Sequence, residues 1–101
     1  MPEMRFQVSW PDGSREAFYS PSTVVSTYLI AGDSHALADF LALGRTALSA
    51  ASERVRQIYG MPCSRALSEL ARLEAKGRCF AQTADARVTI DWIAAIDTVE
   101  D

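Results

Sequence analysis

The chain reads as one α+β domain spanning residues 1–101. The expected architecture is a three-stranded sheet, a hairpin plus a C-terminal strand, packed against two long antiparallel helices in the order β-β-(short α)-α-α-β. Three observations predict it. Met4, Phe6, Val8 and Trp10 alternate with Arg5, Gln7 and Ser9, the period of a half-buried strand. From Ser34 to Tyr59, residues Leu37, Phe40, Leu41, Gly44, Ala47, Leu48, Ala51, Val55, Ile58 and Tyr59 share one stripe at the helical step, while Asp39, Arg45, Glu53 and Arg56 lie opposite. Near the end, Val88, Ile90 and Trp92 alternate with Arg87, Thr89 and Asp91. A two-layer sandwich is the arrangement that buries every one of these apolar faces.

Taken in order, Pro11-Asp12-Gly13-Ser14 closes a hairpin. Pro suits the first central position of a type I turn, and Gly13 takes the positive φ that ends such a turn in a bulge. Arg15 to Tyr19 returns as the second strand. Ser20 reads as an N-cap with Pro21 first in a short helix reaching Leu29, although its β-branched residues also suit an extended segment. Gly32 breaks the chain, Asp33 or Ser34 caps the long helix, and Gly60 ends it. A second helix follows from Ser64 to Lys76, with Ala66, Leu67, Leu70 and Leu73 as its apolar face, and Gly77 is expected to stop it. Arg78 to Ala84 reads as irregular with Phe80 turned inward, and Ile93 to Asp101 as an acidic tail. If the helices form an up-down pair, the third strand enters parallel to the first, giving the order 2-1-3.

Composition narrows the function classes. About half the residues are apolar (49%) and 23% are charged, which is globular chemistry rather than disorder. A net charge of −3 argues against a nucleic-acid partner, which needs a basic surface. The sequence carries no long apolar run and no signal peptide, so no membrane association is expected and the expected location is the cytoplasm. Two cysteines agree with a reducing compartment. Lys76 is the single lysine, and the remaining positive charge is arginine. Such a balance suits bidentate partners, though coding bias toward GC-rich codons gives it equally.

Several blocks read in fixed order along the chain: MPEMRFQVSWPDGS, YSPS-x-VV-x-x-YL, ADFL, ASERVRQIYG and CSRAL. Together they resemble the small nitrogen starvation response proteins of bacteria, over nearly the whole length. The chain departs from that pattern between Gly32 and Ala36, where an aromatic residue and a proline are expected, and in a longer tail. The resemblance implies a role in nitrogen metabolism, in a setting often shared with a nitrilase, a radical-SAM enzyme, an acetyltransferase and a flavoprotein. It brings no reaction with it, so no catalytic residue carries over.

The residues themselves offer little catalytic machinery. His35 is the single histidine, and a surface or capping role at a helix start explains it. The cysteines lack metal-ligand spacing, and the glycines form no phosphate loop, so neither a metal nor a cofactor is expected. Cys63, followed by Ser64 and Arg65, sits at a helix start where a thiolate gains from the helix dipole; the plain reading is a small buried residue with Ser64 as cap. Ser20 and Ser22 could hold an anion at a helix N-terminus, and capping alone also accounts for them. Arg45, Ser49, Ser52 and Arg56 are spaced to form one polar line along the long helix, either a solvated face with an Arg56–Glu53 pair or the rim of a protein contact. Without a nucleophile–base pair, the expectation leans toward a non-enzymatic accessory protein that docks on a copy of itself or on an enzyme of its pathway. The alternative is a small enzyme or carrier binding an anionic metabolite near Ser20, Ser22, Arg45 and Cys63. Cys63 and Cys79, at opposite ends of the second helix, are expected to be free thiols.

Overall fold

The computed structural model describes residues 2–96. Strand β1 (Met4–Ser9) turns through Pro11–Ser14 into β2 (Arg15–Ser20), with Met4 opposite Ser20 and Ser9 opposite Arg15. The turn closes with Gly13 N–H on the Trp10 carbonyl and Trp10 N–H on the Ser14 carbonyl, both at 2.8 Å. Gly13 takes φ +87°, as the hairpin reading requires.

The short helix of the sequence reading is instead a single 3-10 stretch, Thr23–Thr27. Its cap is Ser22 rather than Ser20, because the Ser22 hydroxyl accepts the Val24 N–H. Ser20 is spent one step earlier, donating to the Ser22 carbonyl at 2.8 Å.

The next departure changes the topology. Ser34–Ala36 does not open the long helix but forms a fourth strand, β3, paired with Thr89–Arg87 of β4 (Arg87–Ala95). Just before it, Ile90 exchanges hydrogen bonds with Gly32 and Asp33 at 2.7 and 2.8 Å. Helix α1 therefore runs from Leu37 to Tyr59, with Ala36 as its N-cap and no side chain capping it. Three residues of extra strand reverse the direction in which α1 leaves the sheet. With the α1–α2 hairpin reversing twice more, β4 arrives antiparallel to β1, not parallel. The sheet order is β2-β1-β4-β3, antiparallel throughout, rather than 2-1-3.

Helix α1 ends as expected on Gly60, in the left-handed region at φ +84°, with its N–H on the Arg56 carbonyl. Helix α2 (Ser64–Arg78) runs two residues further than expected. Gly77 lies inside it and serves close approach rather than termination: a Cβ built there would sit 2.5 Å from Leu41 Cδ2. Gly44 plays the matching part on α1, where a Cβ would lie 3.2 Å from Leu73 Cδ2. Cys63, not Ser64, occupies the N-cap position of α2, again without a side-chain hydrogen bond.

One face of the sheet meets the helices. Phe6, Val8, Phe18, Val88 and Ile90 from the strands pack with Phe40, Leu48 and Leu73 from the helices, all essentially without exposure. Trp10 closes the top of this core, stacked on Phe80 at 5.9 Å and edge-on to Phe40 at 5.8 Å, with its indole N–H on Glu16. Phe80 is inward as expected. The alternation expected for β4 fails halfway along. The register against β1 shifts between Gln7 and Val8, so Val8 faces Ile90 but Gln7 faces Trp92. Asp91 is the extra residue, a β-bulge. It turns Trp92 to the outer face and gives its inward place to Ile93. The Asp91 carboxylate is held there by Gln7 and by the Ser9 hydroxyl at 2.9 Å. The strand continues to Ala95, so the first part of the expected tail is sheet, and the acidic residues from 97 onward lie outside the described residues.

Candidate functional site

The residues picked out from the sequence fall in four places. Ser20 and Ser22 are both buried, and their hydroxyls are used within the turn that starts the 3-10 stretch. The line along α1 is not continuous at the surface. Ser49 is exposed, but Ser52 is buried and accepts the Cys63 N–H at 3.2 Å, which ties the end of α1 to the start of α2. Arg45 and Arg56 are exposed and each is engaged by a glutamate, Glu74 and Glu53 respectively. Ser64 is exposed in the first turn of α2. Cys63 is half-buried and Cys79 exposed, and both thiols are free. His35 lies in β3 rather than at a helix start, opposite Val88, and its Nε2 is buried without a hydrogen-bond partner among the described residues.

Arg65 stands apart because of what it meets. Its guanidinium lies 3.7 Å over the ring of Tyr19. That ring is buried, and its hydroxyl donates to Glu3 at 2.7 Å. Burial, and then the neighbouring Glu3 carboxylate, push the Tyr19 phenol well above its ordinary range. Arg5 faces Tyr19 across the β1–β2 ladder, on the same face of the sheet. Arg5, Tyr19, Arg65, Glu69 and Arg72 together line a cleft of about 160 Å³.

One wall of this cleft is a side-chain seal on the free edge of β2. Glu69 accepts the Tyr19 backbone N–H at 2.7 Å, and Arg72 donates to the Ala17 carbonyl at 2.9 Å. Arg72 also bonds Glu69 and Glu16 and lies 4.4 Å over the Phe18 ring. Two side chains one turn apart on α2 thus satisfy the outward backbone groups of an edge strand. At the helical step Arg65, Glu69 and Arg72 fall opposite the apolar face of the second helix, and nothing in their spacing shows that a strand edge lies against it. The pairing of Arg5 with Tyr19 was derivable, because the hairpin turn fixes the register.

Two further surfaces stand out. At the end of the helical hairpin, Ile58, Tyr59 and Met61 are exposed by 52%, 66% and 73%, and Leu67, one turn into α2, by 46%. Ile58 and Tyr59 were expected on the buried stripe of α1. Instead α1 outruns the core by its last turn, so the stripe emerges into solvent. At the opposite end, a cleft of about 360 Å³ opens between the hairpin turn and the α2–β4 connection, bounded by Trp10, Pro11, Thr83, Asp85 and Arg87. Arg87 is anchored there on Ser34, through the hydroxyl and the carbonyl. Among the described residues no cluster of His, Cys, Asp and Glu has the geometry to hold a metal ion, and no helix is long and apolar enough to cross a membrane.

These features define a small α+β protein whose antiparallel sheet is covered on one face by a helical hairpin and sealed along one edge by polar side chains. No curated protein and no solved structure matches the chain. The model of one family does, over residues 5–93, and its description is nitrogen starvation-induced protein NitG. The chain belongs to that family, in agreement with the resemblance read from its sequence blocks.

Proposed function

We propose that this protein is a non-enzymatic accessory of nitrogen metabolism, acting in the cytoplasm, that docks on another protein through the end of its helical hairpin. The observation that carries this reading is the row of large apolar side chains at that end. Ile58, Tyr59, Met61 and Leu67 are each about half exposed or more, and large exposed apolar side chains grouped together mark interaction surfaces. Aromatic and methionine side chains are the types enriched at the centres of protein contacts. Arg54 is exposed beside them, and Arg56, held by Glu53, completes a polar rim. The partner is an enzyme of the same pathway, for which the family resemblance suggests a nitrilase, or a second copy of this chain.

Replacing Tyr59 and Met61 together with Asp tests this. Both side chains are exposed, so the fold should survive, as circular dichroism will show. Light scattering reports self-association, and a pull-down from nitrogen-starved cells reports other partners. Complexes seen with the native chain should be lost in the double variant. The same complexes in both, with the fold intact, refute the reading.

A further inference from the structure

The cleft between β1, β2 and the start of α2 carries positive charge that its own carboxylates do not engage. Three arginines line it, Arg5, Arg65 and Arg72, against one acidic residue, Glu69. Arg72 is committed, bonding Glu69, Glu16 and the Ala17 carbonyl. Glu3 is held by the Tyr19 hydroxyl. Among the described residues, Arg5 and Arg65 form no ion pair with any carboxylate.

Of the two, Arg65 is held in place by its contact with Tyr19. The face of Arg65 is laid on the Tyr19 ring, 3.7 Å from its centre, which leaves the in-plane N–H groups as its available donors. Arg5 rises from the strand residue directly opposite Tyr19. Arg5 and Arg65 are therefore both neighbours of Tyr19 and line one cleft. Planar N–H forks match the oxygen spacing of carboxylate and phosphate groups. The volume, about 160 Å³, equals roughly five waters at about 30 Å³ each, which limits a ligand to a small molecule or to the end of a larger one.

We propose that this cleft binds the oxyanion group of a small metabolite, a carboxylate or a phosphate, between Arg5 and Arg65. Tyr19 acts as the platform that orients Arg65, and Arg72 neutralises the Glu69 carboxylate that would otherwise repel the ligand. The site uses none of the four apolar side chains of the hairpin end, so its test reads a different set of residues.

The test is a titration of the ¹⁵N-labelled protein with sodium succinate and, separately, with inorganic phosphate, at ionic strength held constant with sodium chloride. The amides of Arg5, Tyr19 and Arg65 should shift and saturate with at least one of the two anions, and the anion that saturates identifies the source of the oxyanion. In Arg5→Gln and in Arg65→Gln the affinity should fall at least tenfold. Shifts no larger than those caused by chloride, or saturation that persists in either variant, overturn the proposal. Arg5 makes no hydrogen bond through its side chain among the described residues, so Arg5→Gln decides the matter if Arg65→Gln fails to fold.

Discussion

The seal on the β2 edge makes a quantitative claim about Glu69. The Glu69→Ala change removes the carboxylate that accepts the Tyr19 N–H at 2.7 Å and one partner of Arg72 at 2.9 Å. A hydrogen bond to a charged group contributes about 1.5–3 kcal/mol, and Ala returns a few tenths through its helix propensity. The ion pair adds little, because the Arg72 side chain is 43% exposed and keeps Glu16. The net loss should be about 1–2.5 kcal/mol. At an unfolding entropy of about 2.1 cal/mol/K per residue, that lowers the melting temperature by about 5–12 °C. Glu69→Gln keeps an acceptor oxygen and should lose less than half as much. Hydrogen exchange gives a local readout: the Tyr19 amide should lose protection in Glu69→Ala, while those of Phe18 and Ser20, which face β1 by the alternation of the ladder, should not lose it selectively. A change below about 0.5 kcal/mol with no faster exchange at Tyr19 would mean that water serves the edge equally well, and the seal would have no energetic meaning.

Three other expectations follow from the same geometry. Leu48 is fully buried, so Leu48→Ala should cost about 2–5 kcal/mol in a urea titration, with the slope unchanged. Tyr19 titrates higher in the folded chain than its ordinary 10.0, so the unfolded chain gives up the phenol proton first and stability should fall as the pH rises above about 10. That alkaline loss should shrink in Tyr19→Phe, and an equal fall of the urea midpoint in the two proteins from about pH 9 to 11 counts against the burial of the phenol and its Glu3 contact. Both thiols should react with a thiol reagent, the exposed Cys79 faster than the half-buried Cys63; an intact folded mass about 2 Da light under non-reducing conditions would contradict an α2 that separates them by about 20 Å.

Much of the fold was legible because apolar spacing reports burial directly. The hairpin, the α1 stripe through Val55 and the paired helices are all patterns of that kind. The misses share a different cause. Ser34–Ala36 is too short to show a period, and its extended form comes from pairing with β4, a partner more than fifty residues away. Trp92 was placed inward because strict alternation assumes no bulge, and the bulge at Asp91 is held by Gln7 and Ser9 on another strand. Gly77 looked like a stop because glycine usually ends a helix, whereas Leu41 on the neighbouring helix explains it. The same holds for the cleft. Arg65 was singled out for its place beside Cys63, but its partner Tyr19 and its companion Arg5 come together only when α2 is laid against the hairpin.

The central pair of the sheet joins β1 to β4, and Gln7 meets Asp91 across 84 residues of chain. During synthesis the hairpin and the two helices can form early, but β1 has β2 on one side and nothing on the other until the last strand emerges. The core closes only at that point, so the waiting intermediate exposes an unpaired strand edge beside Phe6 and Val8. High sequence separation of this kind slows folding and prolongs exposure. Truncations that remove β4 should therefore yield aggregating chains rather than a smaller folded protein. Joining the strands β1 and β4 by a short linker and opening the chain in the exposed Gly60–Pro62 connection would make the central pair a local hairpin, and the permuted chain should fold faster than the natural one.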